Sequence, residues 1–349
     1  MERSYERVIS IPRELRLAEH VFALKLDHID LSFVDVCTFD FRNCEFGEPL
    51  PILLLADKIK RLAGNFGGTC KFRLLPGKTA FSSFADHVGL FRYMGWARGR
   101  EPGEAYGSTG YLPIETFDIL DFKRKAGKGP IGELINDEAT RMAVVLSQTD
   151  EGSTFDVLQY AIREIMRNAA EHSDGTRATI MAQYWPTRYE AEIVVIDNGV
   201  GIPNNLYENE YVDCNNARQA LKFALLPGIS GVSLEKRINQ DEFWGNSGFG
   251  LFVTSRICAE NGLFRLISDR QGLSLVGDRQ IEHDWVHHAT CVQMRLRTRK
   301  STAIQADIPR LIEEGENQRA ALMRHYPIQA SAASKMLASQ YRRMNVYRN

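Results

Sequence analysis

The feature that most constrains the fold is the apolar run Val194 to Ile196, which leads directly into Asp197-Asn-Gly-Val-Gly-Ile-Pro203. Such a run is typical of a buried strand, so Asp197 is expected at the end of that strand. A carboxylate in this position can accept a hydrogen bond from an exocyclic amine, and Gly199 and Gly201 allow a ring to approach the backbone. Because Asp-Asn-Gly is also a common turn sequence, this segment alone does not define a site.

Upstream, a helix is predicted from Phe155 to Ser173. Glu164, Asn168 and His172 recur every four residues in it, so they project from one side. An apolar stripe that can pack on a sheet occupies the neighbouring side: Leu158, Ile162, Ile165 and Ala169. Polar residues with this spacing are also common on solvated helix faces, so the pattern alone leaves both interpretations open.

The third feature is the glycine-rich segment Gly245-Asn-Ser-Gly-Phe-Gly-Leu251, which precedes a predicted helix from Phe252 to Cys258. Glycines just before a helix expose backbone N–H groups to a phosphate, which the helix N-terminus also attracts. The segment lacks the lysine of a Walker A motif and does not follow a strand of a Rossmann unit. Those two phosphate-binding motifs are therefore excluded.

Together, in this order and at this spacing, the three features resemble the GHKL ATPase superfamily. Glu164 to His172 resembles the N box, Asp197 to Gly201 the G1 box and Gly245 to Leu251 the G2 box. Thr290 matches the threonine that reaches towards the adenine-site aspartate in the family. The resemblance implies an α+β fold, a two-layer Bergerat sandwich with helices on one face of a mixed sheet.

The resemblance also implies a role for each matching residue. Asp197 would bind the adenine amino group of ATP with support from Thr290, and Asn168 would hold Mg²⁺ against the phosphates. Glu164 matches the catalytic acidic residue that activates the attacking water in the hydrolysing branches. The rest of the pocket and phosphate cradle would be formed by Gly199, Gly201, Gly248, Phe249, Gly250 and Leu251.

Residues 203 to 244 correspond to the ATP lid of that family. Lys222, Lys236 and Arg237 are candidates for a contact with the γ-phosphate, although such side chains are most often solvated charges. Kinase-type G2 boxes often carry a further glycine where this chain has Asn246. That difference leaves the lid hinge undefined.

The first hundred residues alternate predicted strands and helices, which favours a small α/β domain. The predicted elements are the strands Val34 to Phe41 and Cys70 to Leu75, the helix Ile52 to Leu62 and an amphipathic stretch from Phe81 to Trp96. Phe39 to Phe46, with the helix that follows, resembles a STAS domain. Gly47 to Pro51 stands where phosphorylatable members place a serine, which argues against a phosphorylation switch there.

These patterns predict four segments: a STAS-like domain at 1–100, a glycine-rich linker at 101–112, a GHKL ATP-binding domain at 113–300 and a helical tail at 301–349. Periodic apolar residues in the tail indicate packing or homo-oligomerisation. The cluster His283, His287 and His288 lacks the spacing of a metal site and is predicted to be a solvated loop.

Composition and charge limit the classes of partner and the cellular compartment that are expected. The net charge of −1 gives no overall case for a nucleic-acid or acidic-membrane partner. The charged N-terminus does not resemble a signal peptide, and the longest apolar stretch, Leu50 to Ala56, is too short to span a membrane. The six scattered cysteines indicate reduced thiols, mostly in the core. A cytoplasmic protein is expected.

The residues leave three functions open. The first is an ATP hydrolase whose lid motion regulates a protein partner or its own assembly in bacterial-type signalling. The second is a serine/threonine protein kinase of the anti-sigma type, in which Glu164 would activate a protein hydroxyl. The third is a nucleotide-gated binding module without turnover. Glu164 favours the first two, because a module that only binds ATP has less need of this carboxylate.

Overall fold

The computed structural model describes residues 5–105, 109–127, 131–207, 214–231, 248–298, 307–322 and 332–337. These residues form helices and strands in a mixed order, so the predicted α+β class is confirmed. The chain divides into two compact units. The first contains Met1–Ser108, Leu112–Thr116 and Ile180–Ala182, and the second contains Thr109–Tyr111, Phe117–Thr179 and Gln183–Asn349.

The first unit contains a three-stranded parallel sheet in the order β1-β3-β5. Its strands are β1 (Glu6–Ser10), β3 (Val36–Asp40) and β5 (Thr69–Arg73). A separate parallel pair joins β2 (Glu14–Leu15) and β4 (Phe46–Gly47). The helices are α1 (Ala18–Phe22), α2 (Pro49–Asn65), α3 (Ala80–His87) and α4 (Leu90–Tyr93).

Helix α2 contains the predicted helix Ile52 to Leu62 and starts earlier, with two prolines in its first turn, where proline is tolerated. The stretch Phe81 to Trp96 is not one continuous helix. Gly89 has a φ of +79°, and this left-handed residue separates α3 from α4. The resemblance of this unit to a STAS domain stays a prediction.

A seven-stranded sheet has the order β11-β10-β9-β12-β8-β7-β6. Its strands are β6 (Tyr111–Asp118), β7 (Arg177–Trp185), β8 (Glu190–Asp197), β9 (Gly262–Asp269), β10 (Gln271–Val276), β11 (Arg279–His283) and β12 (His287–Arg297). Strand β12 runs antiparallel to both β8 and β9, with Cys291 opposite Ile196 and Ile267. This register brings Thr290 next to the end of β8.

The helices of the second unit are α5 (Ile119–Ala126), α6 (Ile131–Ser147), α7 (Ser153–His172), α8 (Ile202–Tyr207), α9 (Ala217–Ala224), α10 (Gly250–Asn261), α11 (Asp307–Leu322) and α12 (Ala332–Lys335). Helix α7 packs against α6 and α10. Its predicted apolar stripe is buried, as expected for a helix with one face in the core.

The predicted histidine loop is wrong. His283 ends β11, while His287 and His288 begin β12, and His287 is buried. Strand β11 is almost wholly exposed, so its polar sequence was mistaken for a loop although it pairs with β10 along its length. Across the described ranges, no three His, Cys, Asp or Glu residues come together as a metal site.

The cysteines are free, and five of the six are buried, as predicted. Within the described segments, no helix has both the length and the apolar character needed to cross a membrane.

Candidate functional site

One cleft in the second unit brings most of the predicted site residues together. It combines apolar side chains with a few polar groups, as small-molecule sites do. The predicted site residues that line it are Glu164, Asn168, Asp197, Gly248, Gly250, Leu251 and Thr290. The other predicted site residues, Gly199, Gly201 and Phe249, are not part of the lining.

Asp197 lies at the end of β8 with only 8% of its surface exposed. Its Oδ1 accepts hydrogen bonds from the backbone N–H of Gly199 at 2.9 Å and from that of Thr290 at 3.3 Å. Thr290 therefore reaches the aspartate through its main chain, while its hydroxyl lies 3.4 Å from Ser268 Oγ. Two backbone donors fix the orientation of this carboxylate in the cleft.

Glycine is required at residues 199 and 201 because neighbouring atoms lie too close to this turn for a side chain to fit. A Cβ on Gly199 would lie 1.9 Å from the carbonyl oxygen of Ser173, which is backbone and cannot swing aside. Gly201 has a φ of +84°, and a Cβ there would lie 2.8 Å from Ser268 Oγ. Ser173 and Ser268 therefore shape this turn, and neither was identified as a site residue from the sequence.

Apolar side chains form the walls between α7 and the sheet. They are Ile165 and Ala169 on α7, Val195 on β8, Leu266 on β9, Val292 on β12, and Ile202 and Leu206 on α8. Apolar walls together with an oriented carboxylate are suited to a flat ring that carries an amine.

Asn168 lies on α7, and its Nδ2 is buried without a hydrogen-bond partner among the described residues. An unsatisfied buried amide costs free energy, so a ligand that pairs with it is favoured. Because the two ends of an amide are assigned from their partners, the same group can present its oxygen to a cation. A carboxamide oxygen completed by phosphate and water oxygens fits Mg²⁺, which seldom relies on protein ligands alone.

Glu164 is 4% exposed and lies between two buried arginines on the same helix. Its Oε1 accepts hydrogen bonds from Nε and Nη2 of Arg163 at 3.3 and 3.2 Å, and Arg167 Nη1 is 3.9 Å away. On the other side, a Cβ on Gly250 would lie 2.0 Å from Oε2. The carboxylate is thus held by charge on one side and by the backbone of α10 on the other.

Arg167 and Glu171 add a second ion pair to the cleft, with Nε to Oε1 at 3.0 Å and Nη2 to Oε2 at 3.1 Å. Burial disfavours the charged form of Arg167, but the carboxylates of Glu164 and Glu171 outweigh it and raise its pKa. Arg163, Arg167 and Glu171 were not identified from the sequence. Their spacing of four residues is a recognisable signal for ion pairs along a helix.

Glycines 248 and 250 bring the start of α10 against the cleft. Gly248 has a φ of +72°, its carbonyl accepts from Gly228 N–H at 3.0 Å, and a Cβ would lie 2.6 Å from Ile229 O. Gly250 is the first residue of α10, so the free N–H groups of that turn lie at the cleft. Phe249 is fully buried and contributes to the core instead of the lining.

The described parts of the predicted lid are 203–207 and 214–231. Together with Ile202, the first residue of α8, they contribute these residues to the cleft lining: Asn205, Leu206, Ala224, Ile229, Ser230 and Gly231. Lys222 lies 2.6 Å from Glu282 of β11 and is not part of the cleft lining. Lys236, Arg237 and residues 245–247 lie outside the described residues, as does the side chain of His172.

Residues 154–299 match the family described as "Histidine kinase-, DNA gyrase B-, and HSP90-like ATPase". The match includes every residue predicted for the site and supports the GHKL resemblance for this part of the chain. It implies an ATP-binding domain of the GHKL ATPase and kinase type. No curated protein and no solved structure matches the chain.

Proposed function

We propose that this chain is an ATP- and Mg²⁺-binding ATPase of the GHKL type whose nucleotide-driven lid motion regulates a protein partner or its own assembly in bacterial-type signalling. One observation carries the proposal. Asp197 and Asn168 come from different elements and line the same cleft, the first with an oriented carboxylate and the second with an amide nitrogen that has no hydrogen-bond partner among the described residues.

The chemistry of binding follows from these groups. Asp197 accepts the hydrogen bond of the adenine amino group, and the apolar walls cover the two faces of the ring. Asn168 presents its side-chain oxygen towards the phosphates, where Mg²⁺ would offset their charge. The N–H groups at the start of α10 and the backbone near Gly248 accommodate the phosphate oxygens.

Glu164 is the proposed general base. Its Oε1 is held by Arg163, which leaves the carboxylate fixed in orientation at the same cleft as Asn168. It orients a water molecule and accepts its proton as the water oxygen attacks the γ-phosphorus and ADP leaves. Because Arg163 and Arg167 hold this carboxylate in one orientation, little reorganisation is needed at the moment of reaction.

A protein kinase activity is the second candidate. In that case Glu164 accepts the proton of a hydroxyl side chain instead of water. The observation that favours it is that Ser334, from the C-terminal segment, lines the cleft.

The adenine assignment is tested by calorimetric titration of ATP with Mg²⁺ into Asp197→Asn. Loss of a hydrogen bond to a charged group corresponds to about 1.5–3 kcal/mol, so the affinity should fall by about 10- to 150-fold. Asp278→Asn is the matched control, because Asp278 is exposed and lies outside the cleft. An Asp197→Asn variant that binds ATP with unchanged affinity contradicts the assignment.

Turnover is tested with Glu164→Gln, which should keep its ATP affinity and lose phosphoryl transfer by about 10²- to 10⁴-fold. Glu133→Gln, an exposed position on α6, is the control. With γ-labelled ATP, free phosphate supports the ATPase, and label on a protein supports the kinase. Bound ATP without either product contradicts the enzymatic part of the proposal and leaves a binding module.

A further inference from the structure

A short C-terminal segment, residues 332–337, docks on α7 beside Glu164. The hydroxyl of Tyr160 donates a hydrogen bond to Ser334 O at 3.0 Å, and Nη1 and Nη2 of Arg163 each donate to Met336 O at 3.2 Å. A third contact joins Lys335 Nζ to Glu316 on α11 at 2.8 Å. Two helices of the second unit therefore hold this segment in place.

Within that segment, Ser334 is 2% exposed and lines the cleft that contains Glu164 and Asn168. Its anchor, Tyr160, stands four residues before Glu164 and so occupies the neighbouring turn on the same side of α7. Ser334, the hydroxyl-bearing residue of residues 332–337, is consequently buried in the cleft that also contains the proposed base.

Arg163 links the base to the segment. Its guanidinium group donates to Glu164 Oε1 and also to Met336 O, two residues beyond Ser334. A side chain that holds both a general base and the main chain next to a hydroxyl fixes their relative geometry. Fixing an acceptor in this way makes its reaction intramolecular, which raises the rate compared with an acceptor from solution.

We propose that Ser334 is a phosphoryl acceptor, so that the chain transfers the γ-phosphoryl group of its bound ATP to its own C-terminal segment. This inference rests on the ATP binding of the proposed function and on its kinase candidate, because it requires ATP in the cleft and a hydroxyl as the acceptor. Ser334 Oγ attacks the γ-phosphorus and a new O–P bond forms. The bond to the bridging oxygen breaks, ADP leaves with that electron pair, and the hydroxyl proton passes to the Glu164 carboxylate.

Tyr160 keeps its donor role throughout this step. Burial, and after it the charge of Glu164, raises the pKa of Tyr160 well above its usual value. The hydroxyl therefore remains protonated at neutral pH, and its hydrogen bond to the Ser334 carbonyl persists.

The transfer limits itself to one event per chain. A phosphoserine carries about −1.5 to −2 charges at neutral pH, and here it would share a buried cleft with Glu164. The buried guanidinium groups of Arg163 and Arg167 beside Glu164 offset that charge, so the limit of one event comes from the single hydroxyl of Ser334.

The test uses the full chain with γ-labelled ATP and Mg²⁺, followed by gel separation and mapping of the phosphorylated peptide by mass spectrometry. Ser334→Ala should lose all label on the chain while keeping its ATP affinity by calorimetry. Ser331→Ala, which removes a serine three residues earlier, is the matched control and should be labelled like the unmodified protein. Labelling should approach one phosphate per chain with a rate that does not depend on protein concentration.

Three results overturn the proposal: label on the Ser334→Ala variant equal to that on the unmodified chain, label mapped to another residue such as Ser230, or free phosphate without labelled protein. Each of them leaves the proposed ATP binding intact. Absence of ATP binding by the unmodified chain contradicts the proposed function itself, so the two failures are distinguishable. Equal thermal unfolding midpoints for the two serine variants establish that neither substitution acts through misfolding.

Discussion

The close contact between Gly250 and Glu164 predicts that alanine at residue 250 destabilises the chain. Alanine at residue 250 would place a Cβ 2.0 Å from Glu164 Oε2 and 2.9 Å from its Cδ. Carbon and oxygen atoms normally stay about 3.5 Å apart, so the substitution must displace the carboxylate or the start of α10. Arg163 holds the other carboxylate oxygen, which restricts how the glutamate can respond.

The expected loss of stability in Gly250→Ala follows from the same distances. Overpacking of this kind costs about 1–3 kcal/mol, so Gly250→Ala should lower the free energy of unfolding by that amount. In a Glu164→Ala background the carboxyl atoms are gone, and the nearest remaining Glu164 atom is Cβ at 3.2 Å. Gly250→Ala should then cost less than about 1 kcal/mol, which gives a coupling energy of about 1 kcal/mol or more.

The assay is urea unfolding followed by circular dichroism on the unmodified chain, both single variants and the double variant. Gly64→Ala is the control, because Gly64 lies in α2 and a Cβ there has no atom within 4 Å. That change should stabilise the chain by about 0.5–1 kcal/mol through helix propensity. If the costs of Gly250→Ala and Glu164→Ala simply add, the packing of α10 against the base is refuted.

Three further predictions concern other contacts. Tyr160→Phe removes the hydrogen bond to Ser334 O, so limited proteolysis should cleave the C-terminal segment faster than in the unmodified chain. The ATP affinity measured by calorimetry should stay unchanged, and equal cleavage rates would contradict the anchoring role of Tyr160. Glu282→Gln weakens the ion pairs that join α9 to β11, so the protection of α9 in hydrogen exchange should decrease compared with that in Glu133→Gln; equal protection would contradict a role for these ion pairs. Lys58→Met removes the buried partner of Asp27 and should lower the free energy of unfolding in urea by about 3 kcal/mol. A double variant that also carries Asp27→Asn should recover most of this stability, whereas additive losses would contradict coupling between the two residues.

The elements that form the cleft could be predicted because each has a local signal. The apolar stripe of α7 recurs at helical spacing, and the observed helix Ser153–His172 closely matches the predicted one. The apolar run before Asp197 predicted β8, and the glycines before Phe252 predicted the start of α10. Their meeting in one cleft came from the family resemblance, since no local pattern encodes contacts between distant segments.

The parts that were missed depend on long-range contacts or on exposed strands. Nothing near Ser334 in the sequence indicates that its carbonyl lies beside Tyr160, because the two residues are far apart along the chain. The edge strand β11 is polar on nearly every residue, so its pairing with β10 leaves no alternating apolar signal. Gly89 divides a stretch that periodicity alone joins into one helix.

The central claim is tested most directly by a crystal structure of the chain with Mg²⁺ and a non-hydrolysable ATP analogue. The account predicts the adenine amino group within hydrogen-bond distance of Asp197 and a metal ion bound by the side-chain oxygen of Asn168, with the γ-phosphate at Glu164. A nucleotide bound elsewhere, or bound in this cleft with its adenine away from Asp197, would contradict it.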